Sequence, residues 1–471
     1  MTLSRPAAAL LLIALYLILC AAVWWRQRGR LRRAADEAAA LLPAADAGPA
    51  VLVLHASQTG QAEEIAWQTA RALHLAGMPV RVAALGEITR AALREAGHAL
   101  VIASTSGEGD APDSAVPFAR DVMDAPDARD LTTLQVGVMA LGDSTYAHYC
   151  GFGRALDGWL QRQGAQPLFD RIDVDRADAQ AIARWRQQLS HIAGTADLPE
   201  WEAPVFDAWR LAARRLLNPG SQGGPVFHLE LTPPDGQPLP SWEAGDLVQI
   251  QLADDGLNGV DDAHRPREYT ISSLPADGRV ELMVRRTTRA DGSPGLASGL
   301  ITQRLPVGAN VALRLRPHAS FRIGANAARP LVLIGNGTGL AGLRAHLKAR
   351  AASDAASASK GPAPAWLIFG ERQSSHDAHY RDEIEAWQRT GLLAHADWAF
   401  SRDQAERLHV QHLLARHAQR LREWVADGAA LYVCGSLQGM AGAVDAVLRE
   451  TLGEADVDAL IQQGRYRRDV Y

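Results

Sequence analysis

The sequence predicts a chain of mixed α/β and β class. In order, it holds an N-terminal transmembrane helix, a doubly wound α/β domain, an antiparallel barrel and a second α/β domain. Three observations predict this. Residues 7–25 carry no charge at all. Residues 51–193 and 330–471 alternate short apolar runs with amphipathic stretches, the pattern of buried strands and covering helices. Between them, 225–321 holds short β-rich runs separated by turn residues, as in a barrel.

A chain of 471 residues is too long for one core, since domains average ~100–200 residues. The hydrophobic fraction of 47% and charged fraction of 21% are those of a globular protein. A net charge of -5 argues against a nucleic-acid partner. Cys20, Cys150 and Cys434 are far apart and form no CxxC pair. No disulfide framework or cysteine metal site follows from them, and a reducing compartment fits.

As a helix, 7–25 would reach about 28 Å, near the ~30 Å of a bilayer core. Trp24 and Trp25 sit where an interfacial anchor belongs. Arg26, Arg28, Arg30, Arg32 and Arg33 follow, against Arg5 alone before the span. The positive-inside rule then predicts a single pass through a bacterial-type inner (cytoplasmic) membrane, with the body in the cytoplasm. A signal peptide would place its positive residues first. The anchor and its basic flank occupy 1–34.

In the first α/β domain (50–193), strands are expected at 51–54, 80–83, 99–103, 135–141 and 166–168. Helices are expected at 63–76, 116–122, 153–163 and 176–192. Residues 194–224 read as a linker containing a helix over 205–217. The barrel (225–325) has expected strands at 226–231, 247–252, 269–272, 280–285 and 310–316. In the last domain (326–471), strands are expected at 331–334, 366–370, 394–400 and 430–434. A helix is expected over 340–350 and a surface loop over 351–365.

Ligands in such sheets bind at the carboxyl ends of strands. Ser57, Gln58, Thr59, Gly60 and Gln61 follow the first strand and open a helix. Hydroxyls and bare amides there hold a phosphate. The loop has no lysine, which suits the phosphate of a flavin mononucleotide. Two more loops end the third and fourth strands. One carries Ser104, Thr105, Ser106, Gly107 and Gly109; the other carries Leu141, Gly142, Asp143, Tyr146, Tyr149 and Cys150. Tyr146 can stack on a flavin ring. In the barrel, Arg267 can neutralise a pyrophosphate, Tyr269 can pack on a ring, and Thr270 can hydrogen-bond near it. Gly337, Thr338 and Gly339 lie between a strand and a helix, where glycines admit a pyrophosphate. Ser401, Arg402, Arg407, His409 and Gln411 offer two guanidiniums to one phosphate.

With these motifs in this order, residues 51–471 resemble the diflavin reductases, the sulfite reductase flavoprotein type among them. The resemblance implies a flavodoxin-like FMN domain, an FAD-binding barrel and an NADP-binding domain. It implies FMN, FAD and NADPH as cofactors. Gly295, Leu296, Ala297 and Ser298 match the second FAD-phosphate loop, and the 401–411 set matches the site of the adenosine 2′-phosphate. The resemblance places Cys434 beside the nicotinamide and stacks Tyr471 on the FAD ring. Thr270, Cys434 and Asp469 then polarise the hydride transfer. Serine stands at Ser106 where some relatives have tyrosine, and Asn336 and Gly342 replace prolines of the family pattern. The helical connecting insertion of the family has no room between Pro219 and Arg267.

The expected activity is therefore NADPH-dependent reduction of a protein acceptor, a heme or iron protein, by way of two flavins at the membrane. A sulfite reductase component, a ferric-siderophore reductase, a single-flavin oxidase and a non-catalytic flavin sensor are the alternatives. Glu108, Asp110, Asp113 and Asp143 around the FMN edge read equally as a surface that steers a basic partner or as a solvated loop face.

Overall fold

The computed structural model describes residues 50–471, apart from 108, 127, 177, 196–200, 202–204, 235, 253–265, 290 and 357–362. Three sheets organise it.

The first sheet contains β1 (Val51–Ala56), β2 (Val80–Ala84), β3 (His98–Ser104), β4 (Gln135–Gly142), β5 (Gln166–Pro167) and β6 (Ile172–Asp175). Its order is β2-β1-β3-β4-β5, all parallel, with β6 also on β4. This is the flavodoxin-like order, whose switch point lies between β1 and β3. The run Val51-Leu52-Val53-Leu54 is apolar at every position because both faces are covered. Val51 and Val53 enter one core with α1 (Gln61–Leu75) and α3 (Ala179–Ala193). Leu52 and Leu54 enter the other with α2 (Gly151–Arg162). Trp185 Nε1 donates to Thr69 Oγ1 at 3.0 Å, pinning α3 to α1 inside that core.

The second sheet contains β7 (Asp207–Leu216), β8 (Val226–Thr232), β9 (Leu247–Ile250), β10 (Arg267–Thr270), β11 (Val280–Arg285) and β12 (Asn310–Arg316). Its antiparallel order is β10-β9-β12-β7-β8-β11. The end strands meet through the Ile271–Leu282 bridge and Ser272 N donating to Glu281 O at 2.8 Å, which closes the sheet into a barrel. Trp209, Leu229, Val248, Leu282 and Leu313 fill its interior.

The third sheet contains β13 (Leu331–Asn336), β14 (Ala365–Glu371), β15 (Leu393–Phe400), β16 (Ala430–Gly435) and β17 (Tyr466–Val470). Its parallel order is β15-β14-β13-β16-β17. The order reverses at β13, whose glycine turn leads into α4 (Leu340–Ala356).

Four expectations are corrected. Residues 205–217 contain strand β7, not a helix. Their Ala, Arg and Leu favour a helix locally, but Trp209 and Leu211 are buried when the segment pairs with β8 and β12. The expected loop over 351–365 begins as helix, since α4 runs to Ala356. Strands β6 and β17 were not anticipated, because both are short and carry charges. The fourth concerns the membrane. A span needs about 20 apolar residues. Among the described residues no helix is long and apolar enough to cross a membrane. The longest, α4, has 17 residues and carries Arg344, Lys348 and Arg350. The span expected over 7–25 lies outside the described residues. The transmembrane element, and the inner-membrane single-pass location built on it, are therefore withdrawn.

Candidate active site

A cavity of about 1090 Å³ opens between the barrel and the third sheet. That exceeds the ~300–1,000 Å³ of an ordinary small-molecule site. The barrel contributes Arg267, Tyr269, Thr270, Gly295, Leu296, Ala297 and Ser298 to its wall. The third sheet contributes Gly337, Thr338, Ser401, His409, Gln411, Asp469 and Tyr471. Thr59, from the loop after β1, reaches the same wall. Residues separated by four hundred positions thus share one surface.

At its inner corner Thr270 and Asp469, which line the wall, meet Cys434, which is fully buried behind it and does not line the cavity. Thr270 Oγ1 donates to Asp469 Oδ2 at 2.7 Å. Cys434 Sγ donates to the same oxygen at 3.6 Å. Cys434 and Asp469 are register partners in β16 and β17, so sheet pairing alone brings them together. Burial, and then the Asp469 carboxylate, push the Cys434 thiol well above its ordinary pKa. It stays protonated at neutral pH and acts as a donor. Gly342 lies under this corner. A Cβ there would stand 3.0 Å from Phe321 and 3.1 Å from the Thr270 methyl, so a larger residue would press on both.

Tyr471 closes the mouth of the cavity. Its N–H donates to Gly435 O at 3.0 Å and its hydroxyl to Thr338 Oγ1 at 3.1 Å. The residue stays 52% exposed, and its ring is held by the single bond to Thr338. Behind it, the glycine turn packs tightly. A Cβ on Gly339 would stand 2.0 Å from Cys434 O, which only glycine permits. Asn336 Oδ1 accepts from Ser436 N at 2.9 Å and fixes the loop after β16.

At the far end, Ser401 N donates to Glu371 O at 2.9 Å and Arg402 N to Arg372 O at 2.8 Å. Arg402 and Arg407 are exposed and lie outside the cavity wall. Among the described residues neither has a carboxylate partner. Partial burial lowers the His409 pKa, and the charges of His412, Arg407 and Arg402 lower it further. An added phosphate would neutralise this cluster.

The three loops of the first sheet stand at the carboxyl ends of β1, β3 and β4. Ser57 Oγ accepts from Gly60 N at 2.8 Å, where Gly60 has a φ of 90° just ahead of α1. Thr105 Oγ1 is buried without a partner. Such an orphan hydroxyl at the carboxyl end of a strand suits a ligand's polar atom. Gly107 and Gly109 take φ values of 55° and 125°, and Ser106 N donates to Asp110 O at 2.9 Å. In the next loop, Tyr146 N donates to Asp143 O at 3.1 Å and the Tyr149 ring lies under the Arg154 guanidinium at 5.2 Å. Burial raises the Cys150 thiol to a pKa of about 11, and it donates to Ala140 O at 3.2 Å. A Cβ on Gly142 would meet Cys150 N at 2.7 Å, so these loops interlock. The residues fit an FMN.

The first sheet docks directly on the other two. Gln58 Nε2 donates to Arg468 O at 3.2 Å and to Asp113 Oδ2 at 3.1 Å. Ser320 Oγ donates to Gln58 O at 2.6 Å, and Arg468 pairs with Asp113. Two of the four expected rim carboxylates have partners within the chain. Asp113 is committed to Arg468, and Asp143 accepts from Thr145 and lies 3.5 Å from Arg176. Glu108 lies outside the described residues. Arg468, Arg285 and Glu371 belong to the site region yet escaped the sequence. Only Glu371, as an acid ending a buried strand, left a signal there.

The flavodoxin family matches residues 53–185, and the oxidoreductase NAD-binding domain family matches 333–446. The sulfite reductase [NADPH] flavoprotein alpha-component of Vibrio parahaemolyticus is 27% identical, over 92% of this chain and 88% of its own length. That of Photobacterium profundum is 26% identical over 92% and 90%. One from Neisseria meningitidis is 28% identical over 91% of each chain. The Vibrio alignment runs over 561 residues, so the relative carries segments this 471-residue chain lacks. Two cofactor domains in this order, in a chain aligned almost end to end with such flavoproteins, fit a diflavin reductase: an NADPH-dependent flavin oxidoreductase that uses FMN, FAD and NADPH.

Proposed function

We propose that the chain draws electrons from NADPH through FAD in the large cavity and FMN at the first-sheet loops, and delivers them to a protein acceptor. The convergence of Thr270, Cys434 and Asp469 beside Tyr471 carries this reading. The bound flavins supply the hydride-accepting and one-electron chemistry.

In this reading Arg267 neutralises the FAD pyrophosphate, with the amides of Gly295, Leu296, Ala297 and Ser298 beside it. Tyr269 packs on the ring system. Asp469 keeps the Thr270 hydroxyl and the Cys434 thiol oriented, so that no reorganisation is needed during transfer. Tyr471 would cover the ring and would move aside from its bond to Thr338 to admit nicotinamide. Gly337, Thr338 and Gly339 admit the NADPH pyrophosphate. Ser401, Arg402, Arg407, His409 and Gln411 select the 2′-phosphate. Ser57, Thr59, Gly60 and Gln61 would hold the FMN phosphate, with Gln58 offering only its backbone because its side-chain amide is bonded to Asp113 and Arg468, and the loops from Ser104 and Leu141 would flank the ring. Thr59 on the wall of the large cavity supports a short path between the two flavins.

The relatives' name makes a sulfite-reducing component the first acceptor to try; a heme or iron protein is the chemical class. An anaerobic NADPH titration of the full chain, with released flavins identified, tests the proposal. Equal FAD and FMN, both bleached, is the expected result. FAD alone, or flavins that NADPH cannot bleach, would overturn it.

A further inference from the structure

Arg285 of β11 and Glu371 of β14 form an ion pair across the cavity, joining the barrel to the third sheet. Neither belongs to the cofactor residues assigned above. Glu371 is 8% exposed, an unusual place for a carboxylate in a cavity meant for polyanionic cofactors. Its Oε2 accepts from Arg372 N at 3.0 Å, and His379 Nε2 stands 3.7 Å from its Oε1. Burial alone would raise its pKa, but His379 and Arg285 outweigh burial and hold it below the ordinary range. It is therefore charged.

The pair sits on the glycine turn. Gly337 has a φ of 57°, and a Cβ there would stand 3.6 Å from Arg285 Nη2 and 3.9 Å from Glu371 Oε1. Arg285 Nη1 is held by Gly224 O at 3.0 Å, so the guanidinium is fixed in place. An anion that approaches the Gly337 backbone meets this guanidinium and, directly beside it, the carboxylate.

We propose that Arg285 is a ligand of the NADPH pyrophosphate and that Glu371 competes with the pyrophosphate for it, setting the affinity for the dinucleotide. This rests on the reading of the cavity as the NADPH site. The carboxylate keeps Arg285 oriented while the site is free and makes bound dinucleotide easier to release.

The test is calorimetric binding of NADP⁺ to the full chain, with 2′-AMP as a probe that carries the 2′-phosphate but no pyrophosphate. Glu371→Gln keeps shape and hydrogen bonding and removes the charge. It is expected to tighten NADP⁺ about tenfold and leave 2′-AMP unchanged. Arg285→Gln is expected to weaken NADP⁺ about tenfold, and the double variant to lose the gain of Glu371→Gln. Because Arg285→Gln takes the guanidinium from a buried carboxylate, the double variant also shows whether weakening reflects misfolding. Unchanged NADP⁺ binding in Glu371→Gln, or equal tightening of 2′-AMP, overturns the proposal. So does a selective loss of NADH binding, which would make Glu371 a reader of the ribose hydroxyls. If the unaltered chain binds neither NADP⁺ nor 2′-AMP, the parent reading of the cavity fails, and this proposal with it.

Discussion

Asp469→Asn removes one charge from the inner corner and little else. Asparagine keeps the volume and one acceptor oxygen, so the Thr270 hydroxyl at 2.7 Å keeps a partner. A hydrogen bond to a charged group contributes about 1.5–3 kcal/mol and a neutral one about 0.5–1.5. The difference is about 1.2 kcal/mol, a little under tenfold in rate if it acts in the transition state. The thiol at 3.6 Å is a weak donor and adds little. Flavin bleaching by NADPH, followed in stopped flow, is expected to slow about tenfold. With NADPH deuterated at C4 the isotope effect is expected to persist or grow, since the transfer step becomes more limiting. Asp469→Ala is expected to cost stability as well, about 1–3 kcal/mol, because it strands a buried hydroxyl. If Asp469→Asn bleaches as fast as the unaltered chain with the same isotope effect, the carboxylate has no part in hydride transfer.

Three other outcomes follow from the geometry. Arg402→Ala and Arg407→Ala are each expected to raise the KM for NADPH several-fold to tenfold while sparing NADH, a modest effect because both residues are exposed; equal losses for both nucleotides would contradict the 2′-phosphate role. Asp113→Asn removes the nearer of the two carboxylates beside Arg468 and is expected to leave bleaching of the first flavin unchanged while slowing electron delivery to an acceptor protein. A double-mutant cycle with Arg468→Gln is expected to give about 1–2 kcal/mol of coupling, and zero coupling would remove the docking role. The buried Cys150 thiol is raised to a pKa of about 11 in the folded chain. A raised folded pKa means that its stabilising contribution is complete below the unfolded value, ~8.5, and is lost as pH climbs toward 11. Urea midpoints are therefore expected to fall across that window, and Cys150→Ala is expected to flatten the slope.

The loops after β1, β3, β4 and β13 were legible in the sequence because each is local. Its glycines and hydroxyls follow an apolar run within a few residues, and a strand followed by a helix puts them at a carboxyl end whatever surrounds them. Segment 205–217 was not legible, because its helix-favouring composition is overridden by pairing with β8 and β12. The charged strand β17 was hidden for the same reason, since its strand character comes from its neighbour β16.

What the sequence determined by itself is the chemistry each loop can offer and the order in which the loops occur. Tertiary structure decided which of them meet. Thr270 and Asp469 are brought together by barrel closure and by the pairing of β16 with β17. Arg285 meets Glu371, and Arg468 meets Asp113, only where separate sheets touch. No local pattern encodes such pairs, because even Glu371, which ends a buried strand, gives no sign in the sequence of which charge it meets. Burying that charge is tolerable only beside its counter-ion, and the packing of the sheets supplies it.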